Sequence, residues 1–177
     1  MTGEIPEEQA PAASSRVDEA QRTQVIPAVA TEAFERAEAR FTTRYPGRYL
    51  DQGQRNLARV LALSDRLAET GYRAPGTGMH TVLGLLADAV REAGGRAIGI
   101  GLTDTTAQEL SAALGGAPAH ALSQWCESRT SARLRTGDML IVTDAHVALS
   151  VWPDSVRAVI DEAETAGAVV RLIGVPA

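Results

Sequence analysis

Residues 71–102 place the tightest limits on how this chain folds. They join a glycine-rich turn to a segment whose apolar residues recur every three or four positions, and then to a short apolar run. The periodic segment has one apolar and one charged face, which is typical of a helix lying on a sheet. Residues 96–102 are almost continuously apolar, as in a parallel strand covered on both faces. The stretch therefore predicts one turn, helix and strand of an α/β fold.

The turn carries two glycines, Gly76 and Gly78, directly before the predicted helix. Glycine permits positive φ and close approach of the backbone to a ligand, because it has no Cβ. The free N–H groups and the positive dipole end of the helix would meet at this turn, and together they favour a phosphate. His80 lies in the same segment, where it could contact a phosphate or a base. The sequence therefore predicts a phosphate-binding turn here.

The first quarter of the chain is predicted to contain a tail, a candidate strand and a helix. We expect a disordered tail over residues 1–15, which are rich in Glu, Pro, Ala and Ser, and a single domain over residues 16–177. Residues 24–30 could form a first strand, although Pro27 makes a central strand there doubtful. Residues 31–44 have the apolar spacing of a helix.

Beyond residue 50, apolar periodicity predicts alternating helices and strands. The predicted helices are 52–70, 82–93, 107–114 and 155–166, and the predicted strands are 96–102, 138–142 and 168–175. Such alternation is what a parallel sheet with crossover helices requires. We therefore predict an α/β fold, a Rossmann-like three-layer sandwich with a mainly parallel sheet and helices on both faces.

Charge and cysteine content exclude several classes of function. The net charge of −5, with no basic cluster, argues against a nucleic-acid groove. All 17 basic residues are arginine, so no mechanism that needs a phosphate-binding lysine is available. The single Cys126 cannot form an internal disulfide, which fits a reducing compartment, and no run of about 18 apolar residues indicates a membrane span. We therefore predict a soluble, cytoplasmic protein with no metal, cofactor, nucleic-acid partner or membrane partner.

The segment GTGMHTVLGLLADAVREAGGRAIGIGL resembles the motif G-G-G-x-x-G-L-M-G-x-x-A-x-x-A-x-x-x-G-G-x-V-I-G-V of the LOG family. These lysine decarboxylase-like Rossmann proteins are nucleotide phosphoribohydrolases. In this comparison six glycines of the chain stand on family glycines: Gly76, Gly78, Gly84, Gly94, Gly95 and Gly99. The resemblance implies a nucleotide ligand, a homodimer, and a nucleotide-binding set made of Gly76, Thr77, Gly78, His80, Thr81 and Gly84.

Of two further LOG motifs, one is kept in part and one is lost. The family has an R-K-x-x-M segment with an Asp nine residues after the Arg, and Arg129 and Asp138 have this spacing. The resemblance implies that Arg129 is the catalytic-site arginine, whose guanidinium can fork onto a phosphate or a ribose oxygen. The family's loop P-G-G-x-G-T-x-x-E corresponds to residues 144–152, which contain no glycine and place Trp152 where the family has its catalytic Glu.

Other side chains could replace that carboxylate. Asp144 and His146 follow a predicted strand at its carboxyl end, where sites of parallel sheets lie, and they could act as general acid and base; Asp154 is a third candidate. We therefore predict Arg129, Asp144 and His146 as the catalytic residues. The leading hypothesis is a nucleotide-binding, LOG-like protein with a degenerate hydrolase site. The alternatives are an active phosphoribohydrolase with a relocated carboxylate and a non-catalytic structural partner of an active homologue.

Overall fold

The computed structural model describes residues 12–128 and 133–174. Its strands are β1 Ala68–Gly71, β2 Ala97–Gly101, β3 Ala119–Ala121, β4 Met139–Val142 and β5 Val169–Ile173. Its helices are α1 Ala12–Arg22, α2 Thr31–Arg44, α3 Gln52–Leu63, α4 Met79–Glu92, α5 Asp104–Ala113, α6 Leu122–Glu127, α7 Ala145–Val151 and α8 Pro153–Ala166. The strands form one sheet in the order β1-β5-β4-β2-β3, and every neighbouring pair is parallel.

Helices cover both faces of this sheet and enclose two apolar cores. The core on one face joins α2, α3, α4 and α5 to the sheet, and the core on the other face joins α1, α6, α7 and α8. The predicted three-layer α/β sandwich with a parallel sheet is confirmed. Within the described residues, no helix combines the length and the apolarity that crossing a membrane requires.

The periodic segments after residue 75 form the predicted elements with small shifts at their ends. The segment of the glycine-rich stretch is α4, and the three apolar runs are β2, β4 and β5. Each of these strands is buried along its whole length, because helices cover both of its faces. The helix predicted over residues 31–44 is α2. The predicted tail of residues 1–15 lies mostly outside the described residues, so the tail and the single-domain boundary stay predictions.

The helix predicted over residues 52–70 is too long. Helix α3 ends at Leu63, and Ser64 already has an extended ψ of 130°. The Ser64 hydroxyl accepts the Arg66 N–H at 3.2 Å, so this short polar side chain stabilises a turn that competes with the helix. The chain then enters β1, which occupies residues that the sequence analysis assigned to the helix. The strand before the glycine-rich turn is therefore β1, at residues 68–71.

Arg171 explains how the turn after α3 is held. It lies in the middle of β5 and is completely buried, although it is a charged residue in an otherwise apolar strand. Its Nε donates to Leu61 O at 2.6 Å, and its Nη2 donates to Ser64 O at 3.2 Å. Its Nη1 also donates to Arg66 O at 3.2 Å. Burial lowers the pKa of Arg171 to about 10, and nearby Glu69 opposes this shift by charge attraction.

The N-terminal segment crosses from one face of the sheet to the other. It leaves α1 on one face, passes the start of β1, and enters α2 on the opposite face. At the crossing, Leu67 N donates to Thr23 O at 2.9 Å and Val25 N donates to Asp65 O at 2.7 Å. Residues 24–30 form no strand; Gln24 makes a single antiparallel bridge with Arg66. The crossing segment is therefore hydrogen-bonded to the residues that lead into the outer strand β1.

Candidate functional site

The glycine-rich turn connects the carboxyl end of β1 to the amino end of α4. Gly78 is the N-cap residue and has left-handed backbone angles, φ 90° and ψ 35°. The first N–H groups of any helix have no helical acceptor, and at α4 no described side chain accepts them. By contrast, Asp51 and Thr103 cap α3 and α5 with complete capping boxes. The start of α4 therefore leaves its N–H groups available to an anion.

Two side chains fix the direction of the peptide groups in this turn. Arg73 Nε donates to Thr77 O at 3.0 Å, and Gln54 Nε2 donates to Gly78 O at 3.3 Å. In a planar trans peptide the N–H points away from the carbonyl of the same unit. Because both carbonyls are held, the N–H groups of Gly78 and Met79 point to the opposite side. This arrangement suits binding of an anion by the backbone.

Gln54 reaches the turn from the amino end of α3. Its side chain is buried and also accepts the Asp51 N–H at 2.9 Å, as part of the capping box of that helix. An ideal Cβ on Gly78 would lie 2.1 Å from Gln54 Nε2. A Cβ at this position would have to displace the Gln54 amide, so both the positive φ and the lack of a side chain favour glycine here.

A cleft of about 250 Å³ lies beside the turn, where β4 and β5 end. Its polar lining comes from the turn, α4, α5 and the segment after β4: Arg73, His80, Thr106, Glu109, Thr143 and Asp144. Met79 and Leu83 contribute apolar surface. Among the described lining residues, Arg73 alone carries a permanent positive charge, against the two carboxylates of Glu109 and Asp144. The lining thus carries a small net negative charge when His80 is neutral.

Asp144 has the most unusual backbone in the cleft. Its φ of 51° makes it the one non-glycine residue with positive φ in the described part of the chain. Asp and Asn adopt this left-handed conformation more readily than other residues do. Asp144 directly follows Thr143 at the end of β4, and β5 lies between β4 and β1, the strand that leads into the turn. Because β1 and β4 both run parallel to β5, the turn and Asp144 lie at the same edge of the sheet.

The structure assembles part of the predicted site. Gly76, Thr77 and Gly78 form the turn, and His80 and Asp144 line the cleft. Thr81 lies in the first turn of α4, whereas Gly84 is buried deeper in that helix, where a Cβ would lie 3.4 Å from the Tyr45 hydroxyl. The contacts of Gly84 are therefore packing contacts within the core.

The remaining predicted residues lie outside the cleft lining or outside the described chain. His146 is exposed on α7 and does not line the cleft, but its Nδ1 lies 3.4 Å from the ideal Cβ position of Gly174, which does. Asp154 accepts from Arg157 Nη2 at 2.7 Å in an exposed ion pair on α8. Arg129 lies outside the described residues, so its catalytic role stays a prediction. Trp152, at the position of the LOG glutamate, is 44% exposed.

Comparison with known families identifies the matched part of the chain. A family model described as AAA domain matches residues 49–177, which is more than half of the chain. The match begins just before α3 and includes the whole sheet, the turn and Asp144. A comparison with curated proteins gave no significant match.

This match overturns the resemblance to the LOG family. A glycine-rich turn, an amphipathic helix and a buried strand occur in both families, so the segment that carried the resemblance could not distinguish them. The LOG assignment, the degenerate or active phosphoribohydrolase and the partner of a LOG-like enzyme are therefore wrong. The homodimer was implied by that resemblance alone and stays an untested prediction. What remains is an α/β fold of the nucleotide-binding AAA type.

AAA domains are P-loop NTPases, whose turn has the pattern G-x-x-x-x-G-K-[ST]. With Gly78 as its last glycine, the lysine position holds Met79 and the Ser/Thr position holds His80. The first glycine position, five residues before Gly78, holds Arg73. The structure supports this register, because Gly78 directly precedes α4 and the turn follows a strand. Only the last glycine of the pattern is kept; its first glycine and the groups that do its chemistry are replaced.

The residues present do not fit the Mg²⁺ ion that this family uses. In P-loop NTPases the ion is held by the hydroxyl of the turn and by an Asp at the end of a second strand. Here His80 replaces the hydroxyl, and the residue that directly follows β4 is Thr143, with the carboxylate one position later at Asp144. Within the described residues, no group of three or more His, Cys, Asp or Glu side chains is placed to hold a metal ion.

Sequence reasoning missed three features of this site. It did not assign a role to Met79, Arg73 or Gln54. The available signal for Met79 was its position between Gly78 and a helix, where a P-loop has its lysine. The signal for Gln54 was the Asp51-x-x-Gln54 spacing, which is a capping-box pattern. No local signal indicated that Arg73 would bond to the carbonyl of Thr77.

Proposed function

Since this chain belongs to the AAA domain family, we propose that it binds the phosphates of a nucleoside triphosphate at residues 73–81 without hydrolysing it. The observation that carries the proposal is the uncapped amino end of α4 behind a turn whose Thr77 and Gly78 carbonyls are held by Arg73 and Gln54. The ligand would contact backbone N–H groups first, and side-chain charge would add less than it does in the rest of the family.

Binding is supported by the backbone of the turn. Gly76 and Gly78 both have positive φ, at 78° and 90°. These angles and the free helix start together produce the concave set of N–H groups that accepts phosphate oxygens. The two neighbouring helices α3 and α5 have capping boxes at their amino ends, whereas α2 and α8, like α4, have no side-chain cap.

Two replacements in the turn and the charge of the cleft lining argue against hydrolysis. Met79 supplies no charge to the β- and γ-phosphates, and His80 supplies no hydroxyl for the metal ion. Phosphoryl transfer depends on positioning and on stabilising charge at the transferred group. The cleft lining, with Glu109 and Asp144 against Arg73, offers less positive charge than such a transition state requires.

A binding and product assay tests this proposal on the full chain. ATP and GTP should raise the melting temperature to the same extent with Mg²⁺ and with EDTA, because no described group is arranged to hold the ion. A ligand at 100 times its Kd stabilises the folded state by about 2.7 kcal/mol, which a thermal scan detects. Phosphate release should equal the protein-free blank. Mg²⁺-dependent release would contradict the proposal, and absence of any stabilisation would remove nucleotide binding altogether.

Gly78→Ala should abolish the stabilisation by ATP and lower the free energy of unfolding by about 2–3 kcal/mol. The estimate combines about 1–2 kcal/mol for a left-handed non-glycine residue with displacement of Gln54 by the new Cβ. Gly94→Ala is the matched control, because Gly94 has a similar φ of 85° with nothing within 4 Å of its ideal Cβ. It should lose about 1 kcal/mol and keep ATP binding. Urea unfolding and thermal shift measure both effects, and equal ATP responses would contradict the role of Gly78.

A further inference from the structure

Helices α2 and α4 are joined by a network of ion pairs. Four arginines share two carboxylates in it: Arg36 and Arg40 contact Glu92, and Arg44 and Arg91 contact Asp88. A cleft of about 640 Å³ lies between the two helices, lined mainly by residues of this network. Because the arginines outnumber the carboxylates, the network keeps a local positive excess, although the chain as a whole carries a net charge of −5.

Two of these arginines reach the carboxyl end of α5 at Gly115. An ideal Cβ on Gly115 would lie 3.3 Å from Arg91 Nη2, 3.4 Å from Tyr45 Oη and 3.7 Å from Arg44 Nη2. Arg44 approaches Asp88 with its Nε, at 3.1 Å, which leaves its Nη groups for another partner. Donors from α4 and from the end of α2 therefore meet around the position where Gly115 has no side chain.

The Tyr45 hydroxyl points to a missing acceptor at this position. It is buried, and no described group forms a hydrogen bond of normal geometry with it. It lies beside the Arg44 guanidinium and raises the pKa of Arg44, ahead of the charge of Asp88. A guanidinium has donors only, so it cannot accept the hydroxyl proton. A buried donor without an acceptor is unfavourable, so the hydroxyl and the two guanidiniums together favour one shared, negatively charged acceptor.

We propose that this cluster binds a dianionic phosphate group, whose oxygens accept from Tyr45 Oη and from the Nη2 atoms of Arg44 and Arg91. Guanidinium groups match the geometry of phosphate oxygens, and a dianion balances the positive excess of the network. Arg91 lies 12 residues after Met79, which is about 18 Å along α4. The site is therefore separate from the glycine-rich turn, and the inference does not rest on the proposed function.

The bound group would connect two parts of the chain. Arg44 and Tyr45 lie before the matched AAA region, which begins at residue 49, whereas Arg91 and Gly115 lie within it. The phosphate would thus hold the end of α2 against α4 and α5. The same chemistry is present in free phosphate and in a phosphate ester, so the experiment includes both.

The experiment is a calorimetric titration of the full chain with inorganic phosphate, phosphoserine and acetate at constant ionic strength, set with sodium chloride. It is done at about pH 8, where phosphate esters are dianions. We expect the wild type to bind phosphate in a saturable way and acetate at least ten-fold more weakly, as loss of about one charged hydrogen bond implies. Phosphoserine binding as tight as that of phosphate would assign the site to an ester, and weaker binding would assign it to the free ion.

Tyr45→Phe separates ligand binding from damage to the fold. It should raise the Kd for phosphate about ten-fold, because one hydrogen bond to a charged group is lost. In phosphate-free buffer its melting temperature should equal or exceed that of the wild type, because the substitution removes a buried donor that has no described acceptor. A variant with a damaged fold would instead melt at a lower temperature.

Two matched pairs of variants test the other contacts. Gly115→Ala places a methyl group where the donors meet and should raise Kd at least ten-fold. Gly116→Ala has a similar backbone strain, with φ 88° against 71°, but nothing within 4 Å of its ideal Cβ, so it should bind as the wild type does. Arg91→Gln should also raise Kd about ten-fold. Its control is Arg157→Gln, which breaks an i,i+3 pair with Asp154 on α8 and should match the wild type.

The outcomes separate this inference from the proposed function. Equal phosphate affinity in the wild type, Tyr45→Phe and Gly115→Ala would overturn the site, as would acetate binding as tight as that of phosphate. If Gly78→Ala abolishes phosphate binding and Arg91→Gln does not, the phosphate binds at the glycine-rich turn and this inference fails while the proposed function stands. If ATP does not bind but phosphate binds in a way that depends on Tyr45, the proposed function fails and this inference stands.

Discussion

Arg171→Met should lower the free energy of unfolding by about 3 kcal/mol, the lower end of the range for breaking a buried charged network. The substitution leaves the buried carbonyl of Leu61 and the partly buried carbonyls of Ser64 and Arg66 without this donor, and a buried acceptor without a partner costs about 1–3 kcal/mol. Part of this loss is offset, because methionine removes a charge that burial disfavours, as the lowered pKa of Arg171 indicates. Urea unfolding followed by circular dichroism measures the change.

The control for Arg171 is Arg157→Met, which removes the same charge from an exposed position and should change stability by less than about 0.5 kcal/mol. Arg171→Lys keeps the charge but has one nitrogen in place of three, so it should lose an intermediate amount. A variant with methionine at position 171 that is as stable as the wild type would show that the turn after α3 does not depend on this guanidinium.

Restoring the P-loop side chains should produce the largest gain in function. We expect the double substitution Met79→Lys with His80→Thr to lower the Kd for ATP by about 100-fold in the presence of Mg²⁺, and much less in EDTA. The lysine would reach the β- and γ-phosphates and the threonine hydroxyl would ligate the ion, and each charged hydrogen bond is worth about 1.5–3 kcal/mol. Calorimetry with Mg²⁺ and with EDTA separates the two contributions.

The matched control for this gain is Val60→Lys, which adds the same charge at an exposed position on α3, outside the cleft lining. It should leave the Kd for ATP unchanged. Hydrolysis by the double variant should remain low until Thr143→Asp is added, because an Asp directly after β4 is then also required. An equal gain from Val60→Lys, or a gain without dependence on Mg²⁺, would show that the turn does not have the geometry of a P-loop.

The sequence was informative where structure is decided by neighbouring residues. Helix α4 and strands β2, β4 and β5 follow from apolar spacing, because each element buries its own side chains against the sheet. The end of α3 was mispredicted because its apolar spacing continues through Leu67, whereas the helix is ended by Ser64 and by Arg171, more than 100 residues away in the chain. No local pattern contains that contact.

In the site, too, the features set by neighbouring residues were predicted and those set by distant contacts were not. The turn was placed correctly from Gly76 and Gly78, since the requirement for glycine is local. Its family was not recognised, because the absence of lysine removes the residue by which a P-loop is normally identified, and the shared turn and helix then fitted a second family as well. Arg73 holds the turn through its bond to Thr77 O and also contacts Asp51. Because Asp51 lies 22 residues away in the chain, no local pattern predicts that contact.

The crossing of the N-terminal segment has a consequence for cooperativity. The matched AAA region begins at residue 49, yet Val17 and Ala20 belong to one core and Phe34 and Phe41 to the other. One continuous segment of the chain thus packs into the cores on both faces of the sheet. Neither layer of helices can therefore separate from the sheet while that segment stays in place. Hydrogen exchange should therefore show the amides of α4 and α8 exchanging through a single shared opening rather than two independent ones.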